Sequence, residues 1–235
     1  MTPDTVMIFA AGRGTRMGAL TDNCPKPLLP VAGIPMIDRA LALADAAGIA
    51  RKLVNIHYLG DMLRNHLSGR DDVILVEETP EALETGGGLK NALPLLDRDT
   101  IFTLNPDAIW TDGNPFPPLA KHWEPARMDA LLMLVPLAHA IAHKGKGDFV
   151  MSPDGQLQRW TGQPGQRLIN TGAQIIRTSA VSEISETRFS LNMPWDRMLE
   201  DGRLFGMIHS GGWADVGTVD GIRLAERMLD RQDDV

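Results

Sequence analysis

The stretch "AAGRGTRMGALTDNCPKPLLPV", Ala10 to Val31, gathers residue types that hold phosphate. Gly12 and Gly14 follow the apolar run Val6–Ala10, and glycines behind a strand let backbone come close to a ligand. Amides around Gly12, Gly14 and Thr15 could cradle phosphate oxygens. Arg16 can fork onto two oxygens at once, whereas Lys26 supplies a point charge. Pro25 and Pro27 stiffen the backbone on either side of that lysine. Two better-known phosphate loops do not fit. A dinucleotide fingerprint needs a third small residue where Met17 stands, and nothing supplies the Lys-Ser/Thr of a Walker loop. The pattern alone leaves open a tight glycine turn flanked by solvated cations.

Chemistry on a phosphate at such a loop would call for Mg2+, which prefers one or two carboxylates and keeps its other positions for water and phosphate. Asp107 follows the apolar run Ile101–Leu104 in "LNPD". Asp215 lies in "GGWADVGT", where Gly211, Gly212 and Gly217 let backbone crowd around a ligand. Either aspartate alone could be an ordinary helix or turn cap. The segment "LETGGG", Leu83–Gly88, sets Thr85 and three glycines at a helix start, as a contact for a base or ribose edge or as a plain N-cap. His57, His139 and His143 lack metal-ligand spacing to a carboxylate or cysteine and are expected to pack or face solvent.

Short strands and helices must position these residues. Strands are expected at Val6–Ala10, Leu53–Ile56, Val73–Val76 and Ile101–Leu104, with helices at Met36–Ala47, Leu59–Leu67 and Leu89–Leu96 between them. That alternation predicts a mainly parallel sheet with helices on its faces. Beyond about residue 110 the texture changes. Pro115, Pro117 and Pro118 start a helix, and Ala130–Pro136 reads as a buried strand. Shorter strands follow at Phe149–Met151, Leu157–Trp160, Ala173–Ile176 and Leu204–Ile208, and an amphipathic helix at Val219–Asp230. No linker separates the halves, so a mixed sheet whose late strands build a substrate pocket is expected.

Bulk properties narrow the partners. A net charge of −7 over 235 residues argues against nonspecific nucleic-acid binding. One cysteine, Cys24, permits no intrachain disulfide and suits a reducing compartment. No signal pattern and no long apolar run occurs, so a cytoplasmic protein without membrane partners is expected, as a monomer or small homo-oligomer.

Taken together, "AAGRGTRM" and "PKPLLPV" resemble the sugar-1-phosphate nucleotidylyltransferases, which join a nucleoside triphosphate to a sugar 1-phosphate. The resemblance covers essentially the whole chain. It implies a Rossmann-like α/β domain over residues 1–235, with a nucleotide-binding half to about residue 110 and a sugar-binding half beyond. It gives the triphosphate to Ala11, Gly12, Gly14, Thr15 and Arg16, the reaction centre to Lys26, and the base side to Glu84, Thr85, Gly86 and Asn105. Asp107 and Asp215 match the family's two Mg2+-binding aspartates, although Pro106 stands where the family has glycine. "KGKGDF" and "INTG" look like sugar-facing loops and bring in Asp148 and Asn170 as hydrogen-bonding partners of the sugar. The family's Glu-Lys pair for the sugar phosphate is missing, and Lys144, Lys146 or Arg167 is the expected substitute. A sugar phosphate arrives already ionised, so alignment and charge neutralisation matter more than a histidine base. The compact form looks most like the N-acetylmuramate 1-phosphate uridylyltransferases. Mannose-1-phosphate guanylyltransferase and a nucleotide-binding protein without turnover are the alternatives.

Overall fold

The structure, a computed structural model, describes residues 2–233. Its first four long strands are parallel, in the order Val73–Glu77, Arg51–Ile56, Thr5–Ile8, Thr100–Leu104. Thr5–Ile8 is buried at every position, as expected where helices cover both faces of a sheet. The helix Met36–Ala46 follows Pro35 and stops before Gly48 at φ +69, a left-handed position suited to glycine. It lays Ile37, Ala40, Leu41 and Ala44 on one face of the sheet.

The same sheet continues into the second half. Leu168–Arg177 runs antiparallel to Thr100–Leu104 and to Ala130–Pro136, and Leu204–Ile208 joins the latter in parallel. Phe149–Met151 and Leu157–Arg159 complete the far edge. The architecture is thus a Rossmann-like mixed sheet flanked by helices, the expected fold class. A separate three-stranded sheet, Ala108–Trp110, Trp213–Asp215 and Ala140–Ile141, lies outside it. The helix Val219–Asp233 packs against the small sheet through a third apolar cluster that includes Met17, Met36 and Val216. Among the described residues no helix is long and apolar enough to cross a membrane.

Two expectations need correction, and one helix lay outside them. Gly86, Gly87 and Gly88 lie inside the helix Glu84–Ala92 rather than ahead of a helix at Leu89–Leu96. Each is closed off by protein: an added Cβ would come 2.5 Å from the Phe189 ring, 2.3 Å from the Thr187 carbonyl and 2.5 Å from Glu78, respectively. Close packing outweighs the low helix propensity of glycine here. The strand expected at Ala173–Ile176 begins earlier, at Leu168, because a bulge between Asn170 and Gln174 interrupts its pattern. The helix Asn192–Glu200 was not foreseen; Pro194 in its first turn reads as a breaker in the sequence but is compatible with a helix start.

At the start of the strand Arg51–Ile56 a buried cation ties three elements together. Lys52 is 4% exposed, and its ammonium lies 2.7 Å from Asp45 and 2.6 Å from Asp72, both also held by Arg70. Hydrogen bonds from Arg70 and Lys52 hold the Asp72 carboxyl far below the usual carboxylate range. Burial works to raise Asp45, but bonds from Lys52 and Arg70 outweigh it and lower that group too. Depressed carboxylates contribute stability that is complete above the unfolded-state value and is lost as pH falls through the folded-state value. The thermal-stability gap between wild type and Asp72→Asn should therefore be full above about pH 4 and shrink steadily below it. Melting curves at pH 7, 4 and 3 check this; a gap unchanged at pH 3 would contradict it.

Candidate active site

The glycine-rich loop leaves the sheet where Ile8 ends the first strand. Phe9 still donates to the Leu104 carbonyl at 3.1 Å, and Ala10 N–H then turns to Asn55 Oδ1 at 2.6 Å. Gly14 at φ +67 starts a tight helical segment, Thr15–Thr21, whose first bond runs from Met17 N–H to the Gly14 carbonyl at 2.9 Å. Loop and lysine meet closely: a Cβ on Gly14 would sit 2.8 Å from the Lys26 stem. Lys26 itself is set between Pro25 and the buried Pro27 in the short turn Lys26–Leu28.

Asp107 reaches this loop through strand ends. Its carboxylate accepts a hydrogen bond from Lys26 Nζ across 81 positions of sequence. Asn105 to Ala108 form a turn closed by Ala108 N–H on the Asn105 carbonyl at 3.3 Å. Pro106 takes the second position of that turn, where its fixed φ is favourable. The position therefore does not require glycine.

Asp215 joins Asp107 by strand register. Trp213–Asp215 pairs antiparallel with Ala108–Trp110, Asp215 stands opposite Ala108, and Val216 N–H donates to the Asp107 carbonyl at 2.9 Å. Arg16 closes the group, because a Cβ on Gly217 would come within 3.1 Å of its guanidinium carbon. Burial alone would raise the Asp215 carboxyl, but a hydrogen bond from His143 and the charges of Lys26 and Arg16 outweigh it and lower the group. The two aspartates thus lie together beside the loop. Their hard oxygens suit Mg2+, which takes one or two carboxylates and completes its shell with water and phosphate.

The site is a cleft with two adjoining cavities that share Phe9, Gly12 and Asp107. One, of about 300 Å³, is lined by Gly14, Thr15, Arg16 and Lys26. The other, of about 290 Å³, is lined by Ala11, Glu84, Thr85 and Asn105. Gly86 is different: it is buried and gives its N–H to the Phe189 carbonyl at 2.9 Å. The Thr85 hydroxyl accepts from Leu191 N–H at 3.0 Å, and Glu84 holds φ +63, a conformation uncommon for a residue with a side chain. Asp148 and Asn170 also meet, but through backbone: Asp148 Oδ2 accepts the Asn170 N–H at 2.8 Å. A Cβ on Gly172 would come 2.6 Å from the Asn105 side chain, so the "INTG" segment reaches the turn that carries Asp107. Arg167 lies over the Trp160 ring at 5.3 Å and donates to the Lys146 carbonyl, while Lys144 and Lys146 are exposed.

Two residues of this neighbourhood escaped the sequence reading. His143, expected to pack or face solvent, hydrogen-bonds Asp215 at 3.2 Å. Glu78, 1% exposed, bridges Asn55 Nδ2 and Leu83 N–H at 2.7 Å each and so links the glycine-rich loop to the second cavity. Neither carries a motif signal, since an isolated His or Glu is ordinary in sequence.

This geometry agrees with what the chain resembles. The model of the MobA-like NTP transferase domain family matches residues 6–169. The chain belongs to that family. As a MobA-like NTP transferase it is 35% identical to the N-acetylmuramate alpha-1-phosphate uridylyltransferase of Caulobacter vibrioides, over 97% of each chain. It is 28% identical to the mannose-1-phosphate guanylyltransferase of Mycobacterium tuberculosis, over 90% of this chain and 60% of that one. HddC from Yersinia pseudotuberculosis, solved with GMP-PN, shares the fold at TM-score 0.77 and 20% identity, over 96% of this chain and 99% of that one. The match along 97% of both chains to the Caulobacter enzyme makes this MobA-like NTP transferase a nucleotidyltransferase of nucleotide-sugar metabolism.

Proposed function

We propose that the chain joins UTP to N-acetylmuramate 1-phosphate, releasing pyrophosphate, as a Mg2+-dependent cytoplasmic enzyme that feeds peptidoglycan recycling. The observation that carries the choice of substrate is the 35% identity to a uridylyltransferase of that sugar phosphate along nearly the whole of both chains. Convergence of Lys26, Arg16, Asp107 and Asp215 on one loop supports the reaction type.

In this reading an oxygen of the sugar phosphate attacks the α-phosphorus in line, and pyrophosphate leaves on the far side. The Gly12–Thr15 amides and Arg16 hold the β- and γ-phosphates, and Lys26 places its charge at the reacting phosphate. The present Lys26–Asp107 contact keeps the ammonium seated on Gly14 and aimed at the cleft before substrate arrives. Asp107 and Asp215 would hold Mg2+, which when bound offsets the charge that builds on the phosphate oxygens. The cavity lined by Glu84, Thr85 and Asn105 takes the base and ribose, and the Asp148–Asn170 pair borders the sugar.

Pyrophosphate release measured for four nucleoside triphosphates against N-acetylmuramate, N-acetylglucosamine and mannose 1-phosphates tests the reading. UTP with N-acetylmuramate 1-phosphate should be the best pair. Preference for GTP with mannose 1-phosphate would replace it, and tight nucleotide binding without release would mark a binding protein.

A further inference from the structure

His143 follows the two-residue strand Ala140–Ile141, which pairs in parallel with Trp213–Asp215 so that Ile141 stands opposite Ala214. The two chains leave the small sheet side by side. Between strand and histidine, Ala142 takes φ +61, an uncommon conformation for a residue with a Cβ. After that turn, Nδ1 of His143 lies 3.2 Å from Oδ2 of Asp215, with the ring 17% and the carboxylate 22% exposed.

The contact with Asp215 settles the tautomer. Nε2 is buried and has no protein partner. A proton on Nε2 would turn the Nδ1 lone pair against the Asp215 carboxylate, whereas a proton on Nδ1 is shared with it. The proton therefore belongs on Nδ1, where it is donated to Asp215, an assignment made from the hydrogen-bond network. Gly145 encloses the ring from behind: a Cβ there would be 2.2 Å from Nε2, so no side chain fits while the imidazole is seated.

We propose that His143 is a positioning residue whose Nδ1–H fixes the rotation of the Asp215 carboxylate and presents its other oxygen to a divalent cation. This rests on Asp215 being a metal ligand, as read above. Hydrogen-bonded partners of metal-binding carboxylates orient them, and their loss weakens metal binding. His143 and Gly145 then form one device, in which the glycine has no side chain because the histidine must stay seated.

Binding of Mn2+ to the apoprotein, followed by the EPR signal of free Mn2+, tests this. His143→Ala should weaken binding about tenfold, the lower end of the range for such partners. His143→Asn, whose side-chain N–H can reach the place of Nδ1, should restore most of the affinity. Gly145→Ala should cause the same loss as His143→Ala with the imidazole still present, and the two together should lose no more than either. Asp215→Asn is the control. Loss in Asp215→Asn with wild-type binding in His143→Ala overturns the positioning role alone. Wild-type binding in both overturns the metal assignment itself. A weakened His143→Ala that melts lower without metal and is not rescued by asparagine marks a merely structural histidine, which also overturns the proposal.

Discussion

Asp107→Asn is expected to slow pyrophosphate release about a thousandfold while the protein stays folded, because a metal's charge stabilisation is worth several kcal/mol and each 1.36 kcal/mol is tenfold in rate. The substitution removes the charge but little else. Bonds that place the segment are made by backbone: Asp107 accepts Val216 N–H through its carbonyl, and the turn closes from Ala108 to Asn105. Asparagine can still accept from Lys26 through its amide oxygen, so the lysine keeps a partner in the free enzyme. Steady-state pyrophosphate release and a thermal melt, run side by side, check the expectation. Activity within tenfold of wild type would remove Asp107 from the metal site. A collapsed melt would instead show that the carboxylate is needed for folding, which the backbone bonding argues against.

Glu78→Gln should destabilise the protein by roughly 1–3 kcal/mol and raise KM for the nucleotide more than it lowers kcat. Both groups facing the Glu78 carboxyl oxygens are donors, Asn55 Nδ2–H and Leu83 N–H. Asn55 cannot flip to help, since its own oxygen already accepts Ala10 N–H at 2.6 Å. Glutamine has one acceptor for two donors and must turn its NH2 against one of them. If the loop end bearing Ala10 loosens, the amides after it lose preorganisation for phosphate. A loss near 2 kcal/mol would lower the melting temperature by about 4–8 °C for a chain of this size. An unchanged melt together with unchanged KM would show that the buried bridge does not support the loop.

Pro106 shows how far a motif comparison can carry. In the sequence it marks a departure from the glycine of related enzymes and suggests an altered nucleotide contact. In the structure it occupies the second position of the Asn105–Ala108 turn, where proline's fixed φ is an advantage. The departure leaves Asp107 in place, so it offers no support for a chain that binds without turnover.

Sequence alone was enough for the parallel half of the sheet and for singling out the glycine-rich loop that leaves it. Gly12, Gly14, Arg16 and Lys26 stand out because the phosphate role proposed for them needs those residue types close together in one segment. The long buried strands and the Met36 helix repeat their apolar pattern over enough residues to be read. What only the tertiary structure decided is who meets whom. Ala108–Trp110, Ala140–Ile141 and Trp213–Asp215 are too short to show any periodicity, yet their pairing brings Asp107, His143 and Asp215 together. The three glycines of "LETGGG" looked like room for a ligand and are room for Phe189, Thr187 and Glu78. The physical reason is common to both. Strand register and buried hydrogen-bond partners depend on contacts between distant segments, whereas residue pattern records only what each segment needs from its immediate surroundings.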